Sequence, residues 1–398
     1  MQKKLIALAV ASLASGAALA QTNVTIYGVA DAGYVYSQGK RPSGMSNPNF
    51  SGIQSGILSG SRLGFKGSEA LGNGLKAVFT LEYSLGIDGN NGVGNTGGLN
   101  ARQQFVGLSS DKLGTVSLGR QYAPGYLASV HNSALGGAII DPQSFLSARA
   151  GNTITPNSPA RWDNAIAYTS PNWSGFTAKA IYGFGEADVT ESTSANGKWG
   201  LGGNYSNGGL NVDLVWQTRQ NVVSSAVSPS FKVAVVPGTP PTTTITGVPG
   251  VPAIYTGKNI EEGYIGASYD FKVVKVMASY QGQNDKTAVD NDNTVWTIGA
   301  VVPVMAASNI HLGYGQVLFD KDRNFTQLRK LDGDSQGATL AWTTNLSKRT
   351  TLYAGYIWVK NDKKIPAANV VTPGGVPQSV GYPGETNNTV TAGMRHTF

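Results

Sequence analysis

The sequence predicts an all-β fold whose antiparallel strands close into a transmembrane barrel, and three observations carry the prediction. Segments of about ten residues alternate between apolar and polar side chains, the period-two pattern of a strand with one face toward water. Their apolar faces are nearly free of charge. The connections alternate between tight turns and long loops, as an up-and-down arrangement requires when successive connections lie at opposite rims.

Composition narrows the classes further. The 398 residues are 40% hydrophobic and 13% charged, with a formal net charge of +7, 52 glycines and no cysteine. That hydrophobicity with so small a net charge excludes a disordered chain. The charged fraction is about half that of an ordinary soluble domain, so much of the surface is uncharged or does not face water. Without thiols there is neither a disulfide framework nor a thiolate metal site.

Residues 1–20 read as a targeting segment. Lys3 and Lys4 form a basic start, Leu5 to Ala11 an apolar run, and Ala18-Leu19-Ala20 the small residues of a cleavage site. The expectation is an exported chain beginning at Gln21, with net charge +5 once the two lysines are removed. Beyond residue 20 no apolar stretch is long enough for a transmembrane helix. Strand-like runs begin near residues 23, 60, 74, 101, 114, 160, 175, 198, 209, 262, 272, 293, 308, 335, 350 and 388, sixteen in all. From Leu75, residues Leu75, Ala77, Phe79, Leu81 and Tyr83 oppose Lys76, Val78, Thr80 and Glu82. From Leu210, residues Leu210, Val212, Leu214 and Trp216 oppose Asn211, Asp213, Val215 and Gln217. Near the end, Val390, Ala392, Met394 and Phe398 oppose Thr389, Thr391, Arg395 and Thr397. Ten tilted residues cross the hydrocarbon, a closed barrel satisfies every backbone group, and about sixteen strands enclose an aqueous lumen. Aromatics near run ends, among them Tyr34, Tyr36, Tyr83, Trp199, Tyr205, Trp216, Tyr356 and Trp358, fit interfacial belts.

Two connections are long. Ala123 to Pro159 is rich in Gly and Ala without clean alternation, and Asn221 to Ile260 contains a Pro/Thr-rich run over 236–252. The latter is expected to form an exposed extracellular loop without a strand ladder.

The residues at this point match a family. Val24-Thr-Ile-Tyr-Gly-Val-Ala-Asp31, Ser61-Arg-Leu-Gly-Phe-Lys-Gly-Ser-Glu69, Leu71-Gly-Asn-Gly-Leu-Lys-Ala77, Arg102-Gln-Gln-Phe-Val-Gly-Leu108, Leu118-Gly-Arg-Gln121, Tyr168-Thr-Ser-Pro-Asn-Trp-Ser-Gly-Phe176, Leu346-Ser-Lys-Arg-Thr350 and Arg395-His-Thr-Phe398 follow in order. With these the chain resembles, over essentially its whole length, the general porins of Gram-negative outer membranes, of the beta-proteobacterial type. The resemblance implies a 16-stranded barrel, a homotrimer in outer-membrane lipid and lipopolysaccharide, and a long third loop folded inward to narrow the pore. It implies passive diffusion of small hydrophilic solutes, with no cofactor and no enzymatic activity, and insertion by an assembly machinery that reads a final aromatic residue, here Phe398.

It also implies a basic wall opposite the inward loop, at positions matching Arg62, Arg102 and Arg161. Alternation agrees for two of them, since Arg62, Gly64 and Lys66 oppose Leu63 and Phe65, and Arg102 with Gln104 opposes Phe105. Lys66 joins the basic wall on that ground, while Lys76, Glu82, Arg120 and Asp141 are further candidates for lining the pore. The long loop departs from porins that carry several acidic groups there, because Asp141 is its only carboxylate. A net positive constriction and a modest anion preference follow. The alternative within this fold is a channel preferring particular small anionic solutes. Other classes are a structural barrel or adhesin working through its loops, and a secreted soluble β-protein. The run Gly89 to Gly98 lacks the context of a nucleotide site, His131, His311 and His396 have no metal or triad spacing, and no dense basic stretch suggests nucleic acid.

Overall fold

The computed structural model describes residues 23–89, 100–185, 194–222, 230–236, 242–248, 257–287, 290–319, 333–363 and 382–398. The targeting segment, most of the Gly89 to Gly98 run and parts of the Pro/Thr-rich run lie outside them.

In chain order the strands are β1 (Asn23–Lys40), β2 (Asn49–Ser55), β3 (Arg62–Gly72), β4 (Leu75–Ser84), β5 (Ala101–Ser110) and β6 (Gly114–Tyr122). The first long loop carries helices α1 (Pro124–His131) and α2 (Pro142–Ala150). Then come β7 (Arg161–Thr169), β8 (Phe176–Gly183), β9 (Lys198–Asn207), β10 (Leu210–Arg219), β11 (Ser230–Val236), β12 (Thr242–Val248) and β13 (Ile260–Asp270). The chain ends with β14 (Lys275–Asp285), β15 (Asn293–Met305), β16 (Ser308–Phe319), β17 (Asp334–Asn345), β18 (Thr350–Asn361) and β19 (Thr386–Thr397).

Each barrel strand pairs antiparallel with its sequence neighbours, and β19 pairs with β1 from Val29↔Thr397 to Lys40↔Thr386, so no edge remains. At the seam Gly28 and Phe398 exchange backbone hydrogen bonds of 3.1 and 3.2 Å. Both β2 and β3 pair with β1, β2 along Ala32–Gln38 and β3 along Asn23–Val29. They are one stave interrupted at residues 56–61, so the described residues form a closed barrel of sixteen staves. All sixteen predicted starts fall within three residues of an observed stave segment, and β2 is the stretch that alternation missed.

The outer face is apolar. Val106, Leu108, Leu118, Leu201, Leu214 and Ile265 are each at least half exposed, and such surface is stable only against lipid. Aromatics form two outward belts: Trp173, Phe176, Tyr205, Tyr269 and Phe271 beside the short turns, and Tyr34, Tyr36, Trp216, Tyr280 and Tyr356 higher up. Between β3 and β4 the turn uses Asn73 at φ 51° and Gly74 at φ 76°, the left-handed pair a tight hairpin demands.

The packed core lies inside the barrel, between the wall and the loop of residues 123–160. Helix α1 rests on β9, β10 and β13, and α2 on β15, β16 and β17. Phe145, Leu146 and Ile140 are buried against Val295, Val317 and Ile357 of the wall, each large side chain contributing roughly 1.5–3 kcal/mol. Glycines on the inward faces make the seat. A β-carbon at Gly337 of β17 would sit 2.5 Å from the Phe145 ring, and one at Gly202 of β9 would sit 2.5 Å from Pro124. This close approach gives part of the high glycine content a physical reason.

The expectation that the Pro/Thr-rich run forms no ladder is corrected. Thr242–Val248 pairs with Ser230–Val236 in a two-stranded sheet separate from the barrel. The prolines at 237, 240 and 241 fall between the two strands, and the β-branched Thr, Val and Ile within them favour extended backbone.

Candidate functional site

Inside the barrel, where the loop leaves β6 and rejoins β7, three arginines meet one carboxylate. Arg102 Nε donates to Glu82 Oε1 at 2.7 Å, Tyr27 Oη donates to Glu82 Oε2 at 3.1 Å, and Arg62 Nη1 stands 4.0 Å from Glu82 Oε2. Arg161 lies over the rings of Tyr122 and Tyr126, 5.3 and 5.5 Å from their centroids. Those two rings stack at 3.6 Å, joining the wall to α1 of the inward loop. Arg102 and Arg161 are close enough to repel one another. The Nε donors of Arg62 and Arg161 are buried with no hydrogen-bond partner among the described residues. Burial pushes the Tyr126 phenol up to about 12, with the neighbouring Tyr122 adding to the shift, so it stays neutral beside the guanidinium.

The backbone explains how these charges reach the lumen. Arg62 follows the interruption of the β2/β3 stave, where Asp31 accepts hydrogen bonds from the backbone N–H of Leu58 (3.0 Å) and Ser59 (2.7 Å) and from Tyr353 Oη (2.7 Å). Ser59 Oγ in turn accepts from Arg62 Nη2 at 2.5 Å, so a buried aspartate on β1 positions an arginine on the neighbouring stave. Arg102 arrives by a different route from simple alternation. Leu81 pairs with Gln104 and Tyr83 with Ala101, so Arg102 and Gln103 together oppose Glu82 in a β-bulge. Gln104 therefore shares the outward face of Val106 and Leu108, contrary to the expectation that it sides with Arg102. At Gly60 a β-carbon would meet Arg102 Nη1 at 3.0 Å, so glycine there leaves the guanidinium its space.

The remaining candidates separate. Lys66 shares the inward face of Arg62 but lies four residues nearer the short turns, with Nζ 5.3 Å from the Tyr27 ring centroid. Lys76 sits at the short-turn rim, ion-paired with Asp111 at 3.1 Å. Arg120 is bound to the wall by Asp163 (2.5 Å) and by the carbonyls of Ala101 and Arg161. Phe398 is at the β1–β19 seam, 48% exposed.

Asp141, expected among the lining candidates, is instead buried within the loop as the N-cap of α2. Its oxygens accept from the N–H groups of Leu135 (2.8 Å) and Gln143 (2.9 Å), which is what an aspartate before a helix does. Burial raises its carboxyl to about 6 from the ordinary 3.8, against those hydrogen bonds, which lower it. The folded form then binds the proton more tightly than the unfolded chain, so this group's stabilisation is full below about pH 4 and is lost as pH rises through 6. Asp141→Asn keeps an oxygen cap and removes the titration. Between pH 7 and pH 4 the unfolding free energy of the wild type in urea should rise relative to that of Asp141→Asn, by up to about 3 kcal/mol, and its midpoint with it. Parallel midpoints at both pH values would contradict this.

Sequence reasoning did not single out the groups that hold the loop. Glu262 of β13 accepts from the N–H of Thr153 (2.8 Å) and Ile154 (2.9 Å), from Thr153 Oγ1 (2.9 Å) and from Arg219 Nη2 (3.1 Å). Gln217 receives the Gly125 N–H at 2.8 Å, and Asn132 Nδ2 donates to Asp213 at 2.8 Å. Thr339 Oγ1 donates to the Ile140 carbonyl at 2.6 Å. The one signal was indirect: small or polar residues at inward positions of β9 to β17. Among the described residues no group of His, Asp and Glu could hold a metal ion.

A model of the Gram-negative porin family matches residues 7–364. The chain is 30% identical over 406 residues to outer membrane porin protein 32 of Delftia acidovorans, covering 100% of both. It is 29% identical to an outer membrane porin protein of Bordetella pertussis, over 91% of this chain and 95% of the relative. Among solved structures, the anion-selective porin from Comamonas acidovorans matches with a TM-score of 0.69 and 26% identity, covering 95% of this chain and 100% of that one. With its closed sixteen-stave barrel, its inward loop and these relatives, the chain belongs to the Gram-negative porins and forms a diffusion channel of the outer membrane.

Proposed function

We propose that this channel passes small hydrophilic solutes with a preference for anions, and that Arg62, Arg102 and Arg161 set the preference. The observation that carries the reading is the imbalance among the described residues at this level, three guanidiniums around the Glu82 carboxylate, with two buried Nε donors that have no hydrogen-bond partner there. A net positive ring at the narrowest level concentrates anions and repels cations within a screening length of about 8 Å. The printed description of the Comamonas acidovorans relative as anion-selective points the same way. The working unit is a homotrimer, residues 1–20 are removed on export, and Phe398 at the seam is the aromatic signal for insertion beside lipopolysaccharide. The reading includes no catalytic step and no cofactor.

The test is a planar bilayer holding detergent-purified protein under a tenfold KCl gradient. The zero-current potential should carry the sign of chloride permeation, and conductance should rise in groups of three steps. A potassium-signed potential refutes the anion preference, and single isolated steps refute the trimer.

A further inference from the structure

On the short-turn side of the arginines, helix α1 and the lower wall enclose a cavity of about 240 Å³ that the constriction does not use. Its wall residues Thr177 and Asp213 each lie within four residues of a short turn. The cavity is smaller than the roughly 300–1,000 Å³ of drug-sized sites, so an occupant has only a few heavy atoms.

Its lining combines two features unusual in a polar lumen. Leu127 of α1 is 42% exposed there, although it faces the barrel interior and no lipid, and Pro124 and Val215 extend the apolar surface. Beside it stands Lys179 of β8, whose Nζ donates to the Tyr122 carbonyl at 2.6 Å. An ammonium has three N–H donors, and the other two have no partner among the described residues. His131 also lines the cavity. Its Nδ1 faces Asp213 at 3.4 Å, and its Nε2 makes no hydrogen bond among the described residues.

Asp213 is the one carboxylate of the lining, and its oxygens are already hydrogen-bonded. Its oxygens receive the side-chain amides of Asn132 (2.8 Å), Asn204 (2.9 Å) and Asn211 (2.7 Å). The two free N–H donors of Lys179 therefore remain for an anion, and the apolar patch for whatever the anion carries.

We propose that this cavity is a second subsite, below the constriction, for small monocarboxylates with a short alkyl tail. The carboxylate is held by Lys179 Nζ, with the Thr177 hydroxyl in reach, and the tail lies on Leu127 and Val215. A bare oxyanion such as sulfate leaves the apolar half unfilled, which is why the lining favours a carboxylate with a tail. The inference rests on the channel reading only for how the ligand arrives, so binding is measured without conduction.

The experiment is isothermal titration of folded, detergent-solubilised protein with sodium butyrate, against equal sodium chloride. Saturable binding in the millimolar range is expected. Acetate, shorter by two methylenes, should bind about tenfold more weakly. Lys179→Met should weaken butyrate at least fivefold, whereas Lys66→Met, which removes a lumen lysine from another part of the wall, should leave its affinity in place. Leu127→Gln alters an exposed side chain and so keeps the fold; it should bring butyrate down to the affinity of acetate. The subsite is refuted if butyrate gives no saturable heat above chloride, or if Lys179→Met and Leu127→Gln both bind it as the wild type does. Equal losses in Lys66→Met and Lys179→Met also refute it, by assigning the effect to overall lumen charge. Loss of bilayer conductance, a separate measurement, would count against the channel reading and not against the subsite.

Discussion

Replacing Arg62 and Arg102 together by alanine is expected to abolish the anion preference. The proposed constriction holds three guanidiniums and the Glu82 carboxylate; the double variant leaves Arg161 against Glu82 and a net charge of zero among these groups. A unit charge 4 Å from a passing ion is worth about 1 kcal/mol in water and more in a confined lumen, attractive for one sign and repulsive for the other. Losing two charges should therefore lower the chloride-to-potassium permeability ratio at least tenfold, to near one. Glu82→Gln should move the ratio the opposite way, although it leaves the buried Arg102 without its carboxylate and lowers stability. Arg62→Lys with Arg102→Lys keeps the charge and should keep most of the preference. Zero-current potentials for the four proteins decide the matter; a double alanine variant that folds and retains the wild-type potential places selectivity elsewhere in the lumen.

The second large effect is expected from Glu262→Ala. Its carboxylate gathers the N–H groups of Thr153 and Ile154, the Thr153 hydroxyl and Arg219 at one point on β13, at 1% exposure. Truncation leaves two backbone donors without their acceptor and takes the carboxylate from Arg219, which keeps the Gly151 carbonyl and Gln283. An unsatisfied buried donor costs about 1–3 kcal/mol, so the seated loop should lose about 3–5 kcal/mol. The barrel itself is closed by its backbone ladder and remains. The expected phenotype is a folded channel with higher mean conductance, greater open-channel noise and protease cleavage within residues 150–158. A quiet, protease-resistant channel of wild-type conductance would mean that Phe145, Leu146 and the Thr339 contact suffice to hold the loop.

Much of the barrel was legible because lipid on one side and water on the other impose a period of two. Arg62 could be placed by that period. Arg102 reached the lumen although its stated parity was wrong, because an inserted residue in β5 opposite Glu82 shifts the faces locally, and a bulge leaves no mark in a hydrophobicity pattern. Asn49–Ser55 was missed since its residues alternate weakly and its stave is broken by the turn that Asp31 holds. Helices α1 and α2 were missed for a different reason: α2 is buried on nearly all sides, so it has no polar stripe to alternate with an apolar one. Asp141 was misread because a carboxylate in a loop has the same letter whether it faces water or caps a helix. Glu262 and Gln217 sit on a polar face among many polar residues, and only the seated loop distinguishes them.

The seam between β1 and β19 bears on the order of assembly. Residues 29–40 find their partners in 386–397, almost the entire length of the chain away, and contacts so distant in sequence are slow to form. Until β19 is in place, β1 and β18 both expose unpaired backbone, which hydrocarbon does not tolerate. The loop, made from residues 123–160, has to wait as well, since most of its seat is built from strands that follow it. Biogenesis must therefore keep an unfinished, edge-bearing chain from aggregating until its last strand can be delivered to its first.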